Sequence, residues 1–197
     1  MLDSTFLTLK KRPSRTDEQP QRSTGILVRD LRPSDFEDIV GYYYKFYDEV
    51  KEHPSFGIVL GKEKPSMNEE RRWFKDLSEG VANGDTVVSV AEVDGQVVGM
   101  CEVRTVGRRG SEVSHRGDLG IAVDSNYRGI GVGSSLLGAT LDKCKGKFEN
   151  VELSVFSVNE GAKELYRRFG FKPFGQRPAS VKRGSHYFDE DLMQLKL

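Results

Sequence analysis

The chain has few of the residues that build metal centres or covalent staples, and no long apolar run. Only two cysteines, Cys101 and Cys144, occur in 197 residues. Neither has metal-ligand spacing around it, so no metal is expected, and a reduced, cytoplasmic protein is the natural reading. No stretch is apolar for long enough to cross a bilayer. The opening segment, "MLDSTFLTLKKRPSR", places its basic residues after a mixed apolar stretch, the reverse of a secretory leader. Net charge is missing as well: 30 Lys and Arg balance 30 Asp and Glu. That balance argues against a general nucleic-acid binder or a membrane-surface binder, both of which are normally basic.

What is present suits one globular domain with a full core, at 37% hydrophobic and 10% aromatic residues. Residues 1–23 read as a mobile basic arm, rich in Lys, Arg, Ser, Pro and Gln, with one edge strand near Phe6–Leu9. Residues 24–197 read as the domain. It opens on a strand, "GILVRDL", followed by a helix with Ser34 as N-cap and apolar positions Phe36, Ile39, Val40, Tyr43 and Tyr47. Ser66 and Glu69 form a capping box for a second helix. "DTVVSVAEV" and "QVVGMCEVRTV" make a hairpin across Asp94-Gly95. "HRGDLGIAV" is the next strand, and Leu137, Leu141 and Cys144 then repeat at helical spacing. "NVELSVFSV" alternates Val151, Leu153 and Val155 on one face. In "NEGAKELYRRFGF" Ala162, Leu165, Tyr166 and Phe169 make a helical stripe that Gly170 ends. Two final strands face each other across Gly184-Ser185. The element order is β-α-α-β-β-β-α-β-α-β-β, a mixed-sheet domain with helices on its faces.

The stretch "NYRGIGVGSSL", residues 126–136, joins a strand to a helix through closely spaced glycines. A P-loop needs a Lys after its last glycine, and none follows Gly133. The dinucleotide fingerprint G-x-G-x-x-G fails too, since its last position falls on Ser134 or Leu136. What remains is R-x-x-G-x-G, from Arg128, Gly131 and Gly133. Backbone N–H groups at such a turn converge on an anion at the positive end of a helix.

Joined to N-x-x-A-x-x-L-Y-x-x-x-G-F downstream, this motif resembles the GNAT superfamily of N-acetyltransferases. The likeness spans residues 24–197 and is strongest from Leu119 to Phe174. The ending "GSHYFDEDLMQLKL" is similar to the polyamine and ribosomal-protein branches. The resemblance implies the acyl-CoA N-acyltransferase fold, an α+β domain with a mostly antiparallel central sheet, a splayed parallel strand pair and helices on both faces. It implies acetyl-CoA as co-substrate and a small-molecule or peptide amine as acceptor. Transfer would be by direct attack through a tetrahedral intermediate.

Carried over by motif, Arg128, Gly129, Ile130, Gly131, Val132, Gly133 and Ser134 would cradle the pyrophosphate. Ile121, Ala122 and Val123 would run beside pantetheine, with the Ile121 N–H stabilising the oxyanion. Asn159 would contact pantetheine while capping its helix. Tyr166 would protonate the departing thiolate, a phenol of pKa about 10 being a proton carrier at neutral pH.

Where some relatives place a Glu base, this register has Gly117. Asp118, Glu102 and His115 are the nearby alternatives, and the choice among them stays open. Tyr42, Tyr43, Tyr44, Phe46 and Tyr47 offer an aromatic lining suited to a cationic amine, with Tyr43 and Tyr47 read as core. Lys163, Arg167 and Arg168, on the polar side of the last helix, could meet the adenosine phosphates. Neither cysteine has an evident His partner, so an acyl-cysteine route has no support. A non-catalytic acyl-CoA sensor on the same fold is the alternative, and homodimerisation stays open.

Overall fold

The computed structural model describes residues 25–197; the basic arm 1–23 and its strand near Phe6–Leu9 lie outside the described residues. Asp94 and Gly95 carry φ of 51° and 82° and join β2 (Thr86–Val93) to β3 (Gln96–Thr105) in a hairpin. Two successive left-handed residues match the twist of the flanking strands. β1 (Leu27–Arg29) pairs with β2, and β4 (Arg116–Val123) pairs with β3, both antiparallel. β5 (Asn150–Phe156), β6 (Lys172–Arg183) and β7 (His186–Lys196) complete a seven-stranded order β1-β2-β3-β4-β5-β7-β6. The β4–β5 pair is parallel; every other pairing among the described residues is antiparallel.

Helices cover both faces of the sheet. α1 (Phe36–Glu52) and α2 (Met67–Ala82) pack on the face that presents Val88, Val90, Val97 and Met100. α3 (Val132–Cys144) and α4 (Glu160–Arg168) cover the other, against Cys101, Val103, Leu119, Val151, Leu153 and Val155. Both faces of β2 and β3 are therefore buried, which explains their near-continuous apolar sequence.

The expected capping box forms: Glu69 N–H donates to Ser66 Oγ, and Ser66 N–H donates to Glu69 Oε2. The start of α1 differs from expectation. Its N-cap is Asp35, after a short 3-10 turn, and not Ser34. The buried Asp35 carboxylate takes a bidentate contact from Arg29 at 2.8 and 2.9 Å and so ties the helix start to β1. The stripe on α1 differs too. Tyr42 and Phe46 are buried, whereas Tyr43 and Tyr47 are only partly covered. Ile39, Tyr42 and Phe46 lie at i, i+3, i+7 and face the sheet. Tyr43 and Tyr47 lie one position round the helix, towards the segment that joins α1 to α2.

Candidate active site

β4 and β5 pair only from Arg116 to Asp118 against Asn150 to Glu152; beyond that they part. β4 stays paired with β3 on its other edge up to Val123. Asp124 N–H donates to the Val98 carbonyl at 2.8 Å. Strand alternation then turns the backbone groups of Leu119, Ile121 and Val123 into the gap. A ligand laid there in extended form can bond to β4 as an added strand would.

The gap opens into a groove of about 950 Å3 that reaches the start of α3. Gly131 caps that helix with φ of 98°, a left-handed value that favours glycine. Among the described residues, nothing accepts from the backbone N–H groups of Gly129 through Ser134. The first turn of a helix leaves such donors without an intrahelical partner, and here Gly129, Gly131, Gly133 and Ser134 line a groove large enough to hold an anionic ligand. They fit a pyrophosphate.

The structure brings most of the expected residues to this groove. Ile121, Ala122 and Val123 line it from β4, Arg128, Gly129, Gly131, Gly133 and Ser134 from the loop and α3, and Asn159 and Tyr166 from the α4 side. Two do not present side chains to it: Ile130 points to solvent, and Val132 is buried in the core. Only their main chain can serve an anion. Asn159 Oδ1 accepts from Ala162 N–H at 3.1 Å and caps α4, which leaves its Nδ2 free to donate. Tyr166 is buried, its ring 5.8 Å from that of Phe171. Desolvation, followed by the proximity of Cys101, pushes its phenol above the ordinary range, so it holds its proton at neutral pH.

A strap missed in the sequence crosses this groove. Residues 55–59 line it, and Gly57 packs so closely on Asn159 that an added Cβ would come within 2.6 Å of Nδ2. Arg183, at the end of β6, donates to the carbonyls of Pro54, Phe56 and Ile58. On the other side Phe56 packs 5.7 Å from Phe46. Lys45 reaches the buried Asp124 at 2.6 Å and pins α1 to the end of β4. Against the desolvation of burial, the Lys45 contact and the Asn126 N–H hold that carboxyl below its usual range.

A second cavity, of about 650 Å3, lies on the α1–α2 face and meets the groove at Ile58, Val59, Gly120, Ile121 and Ala122. Glu102 lines it; Asp118 and His115 line neither cavity. Desolvation, then the charge of Glu152, holds the Asp118 carboxyl above its ordinary range although one side of it meets solvent. Glu102 Oε2 accepts from Arg104 at 3.0 Å. Its Oε1 lies over Gly120, 3.8 Å from where a Cβ would stand, with no hydrogen-bond partner among the described residues. Glu102 thus lies directly over Gly120, its register partner on β4, at ordinary van der Waals distance. Gly117 faces the opposite core, where a Cβ would sit 2.4 Å from Val103. No acid fits there.

Of the expected phosphate-binding cations, only Arg168 reaches the groove. Arg167 pairs with Glu160 at 3.6 Å. Lys163 is buried, not on a polar face; it bonds Glu160 at 2.7 Å and Asp191 at 3.1 Å and holds the start of α4 to β7. Glu190, buried on β7, also lines the groove and was not singled out in the sequence. Both cysteines are buried away from the cavities, with desolvation pushing Cys101 up to about 12 and Cys144 up to about 11. Among the described residues, no helix is long and apolar enough to cross a membrane, and no group of three or more His, Cys, Asp or Glu is placed to hold a metal ion.

A family model described as the acetyltransferase (GNAT) family matches residues 43–171. The chain belongs to the GNAT family. Among curated relatives, the L-amino acid N-acetyltransferase AaaT of Escherichia coli is 35% identical over 108 residues, 53% of this chain and 64% of the relative's length. The ribosomal-protein-alanine N-acetyltransferase structure from Brucella melitensis superposes with TM-score 0.74 at 23% identity, covering 87% of this chain and 99% of that one. The yncA structure from Salmonella typhimurium, solved with its cofactor acetyl-CoA, gives TM-score 0.73 at 19% identity over 87% of this chain and 93% of that one. The seven-stranded sheet with its single parallel pair is the GNAT fold.

Proposed function

We propose that this GNAT chain moves the acetyl group of acetyl-CoA to a primary amine by direct attack. The observation that carries the reading is the junction of two cavities at Ile121. One holds unpaired N–H groups suited to pyrophosphate, and the other holds a free carboxylate oxygen. The E. coli relative, named for acetylating L-amino acids, supports amine acetylation as the chemistry.

In this reading Glu102 Oε1 takes a proton from the substrate ammonium, directly or through one water, and frees its lone pair. That help matters, because an amine of pKa about 10.4 is neutral in only about one molecule per thousand at pH 7. The new N–C bond forms as the amine attacks the thioester carbonyl. Ile121 N–H, facing the gap, donates to the developing oxyanion. As the C–S bond breaks, Tyr166 O–H protects the leaving sulfur by donating its proton, and the phenol recovers one from solvent. Glu102 passes its first proton to solvent and then takes the second nitrogen proton by the same route; with Tyr166 drawing one back, one proton is released per turnover. The burial that raises the Tyr166 phenol also raises the basicity of a thiolate in the same groove, which keeps the two matched.

The test is release of free thiol from acetyl-CoA with a panel of primary amines, with products weighed by mass spectrometry. Amine-dependent thiol and an N-acetyl product are expected. Acetyl-CoA binding without amine-dependent release would favour a sensor instead.

A further inference from the structure

Resting on that reading, the walls of the second cavity narrow the acceptor. We infer that it is a primary amine carried on an apolar body and lacking a carboxylate or other anionic group.

The cavity is layered by chemistry. At its inner end, beside the cleft-facing strand, Glu102 presents Oε1 with no partner among the described residues. Its middle is apolar and aromatic, walled by Tyr43 and Trp73 from the two helices, by Ile58 from the strap and by Met100 from β3. At the outer end stand Glu63, Lys64 and Glu69, all exposed. Among the described residues its lining therefore carries three carboxylates against one ammonium and no arginine; Arg104, which pairs with Glu102 Oε2, stands outside it.

The single cation is engaged elsewhere. Lys64 Nζ lies 3.9 Å from the ring centroid of Tyr44, a residue that does not line the cavity. Glu69 stays ionised in its capping box, where the Ser66 hydroxyl and backbone N–H hold its carboxyl below the ordinary range.

An acceptor with a carboxylate needs a donor fork to receive it, normally arginine, and this cavity offers acids at both ends. Bringing an anion between them sets like charges together in a partly desolvated site. An ammonium meets the reverse: Glu102 at the reacting end and aromatic faces along the path, which attract cations. The volume of about 650 Å3 admits a ring with a short alkyl chain.

Matched pairs test this: phenethylamine against L-phenylalanine, and tyramine against L-tyrosine, each pair differing by one carboxylate. The expected result is a kcat/KM at least about 30-fold higher for the amine of each pair. Equal or better use of the amino acids overturns the inference. Binding is read separately by fluorescence of Trp73, the only tryptophan in the chain, in the presence of CoA. Phenethylamine should change that signal at concentrations where L-phenylalanine does not, and the same response to both, or to neither, also overturns it. Glu63→Lys should narrow the phenethylamine preference by about tenfold, since it reverses one rim charge. If no amine in any panel releases thiol, the transfer reading fails, while the fluorescence comparison still decides the ligand preference.

Discussion

Arg128 of the glycine motif donates through Nη2 to Glu49 at 2.8 Å and through Nε to the Val123 carbonyl at 3.0 Å. Its guanidinium lies over Phe56, 4.6 Å from the ring centroid. The motif arginine thus joins three pieces of the site: α1, the strap and the end of β4. Because the pair is partly exposed, a double-mutant cycle with Glu49→Gln should show a stability coupling of about 0.5–1 kcal/mol. Arg128→Met should also weaken acetyl-CoA binding by about tenfold, about 1.4 kcal/mol, as the loop loses its anchor. Unchanged affinity would remove the anchoring role.

Tyr166→Phe should lower kcat by about a hundredfold or more and leave the acetyl-CoA dissociation constant within about twofold, since the ring still packs on Phe171. Near-normal turnover in this variant would end the assignment of the phenol as proton donor.

Glu102 and Asp118 face different surroundings, and the same neutralising change should separate them. Glu102→Gln should cost about a hundredfold in kcat/KM. Asp118→Asn, outside both cavities, should stay within about twofold of the parent. A reversed order of the two effects would transfer the base role to Asp118.

Stability should fall on the alkaline side. The phenols of Tyr42, Tyr43 and Tyr166 and the thiols of Cys101 and Cys144 are all raised, in each case chiefly by desolvation. The folded chain therefore keeps protons that the unfolded chain has already released. Stability is complete below the unfolded values, about 8.5 for thiols and about 10 for phenols, and declines as pH climbs through them towards the raised folded values. Thermal melts should be level from about pH 7 to 8 and then drop, and Cys101→Ala should delay the first part of that drop. A melting temperature that rises between about pH 9 and 11 would contradict the burial argument.

Arg183 holds the strap by three carbonyls without a carboxylate partner among the described residues. Arg183→Met keeps much of the packing on Phe156 and Phe188 and removes those donors. The acceptor KM should rise about tenfold, with a melting-temperature loss of only a few degrees. No change in KM in the folded variant would show that the strap does not shape the acceptor site.

The parts of this site that local rules govern were legible in the sequence. Asp94-Gly95 and the Ser66–Glu69 box depend on neighbours a few residues away, and both form as read. The stripe of α4 and the Gly131 turn are equally local. The strap was not legible, because its path depends on Arg183, more than 120 residues further along the chain. The standing of Glu102 depends on register: only its pairing opposite Gly120 shows that a β3 carboxylate lies over β4. On α1, five aromatic residues within six positions leave the buried stripe ambiguous, and contact with the sheet selected Tyr42 and Phe46. Lys163 looked polar because a charged residue is normally exposed; Asp191, on a strand 28 positions later, reverses that.

The short β4–β5 ladder makes the sheet resemble a pair of tweezers. Three register pairs form the hinge, and from Leu119 onward no further ladder joins the two arms among the described residues, while the strap and the start of α4 line the gap between them. Amide hydrogens of Ile121 and Val123 should then exchange quickly in the free protein and slowly once a ligand bridges the arms. The substrate would complete the sheet that the chain leaves open.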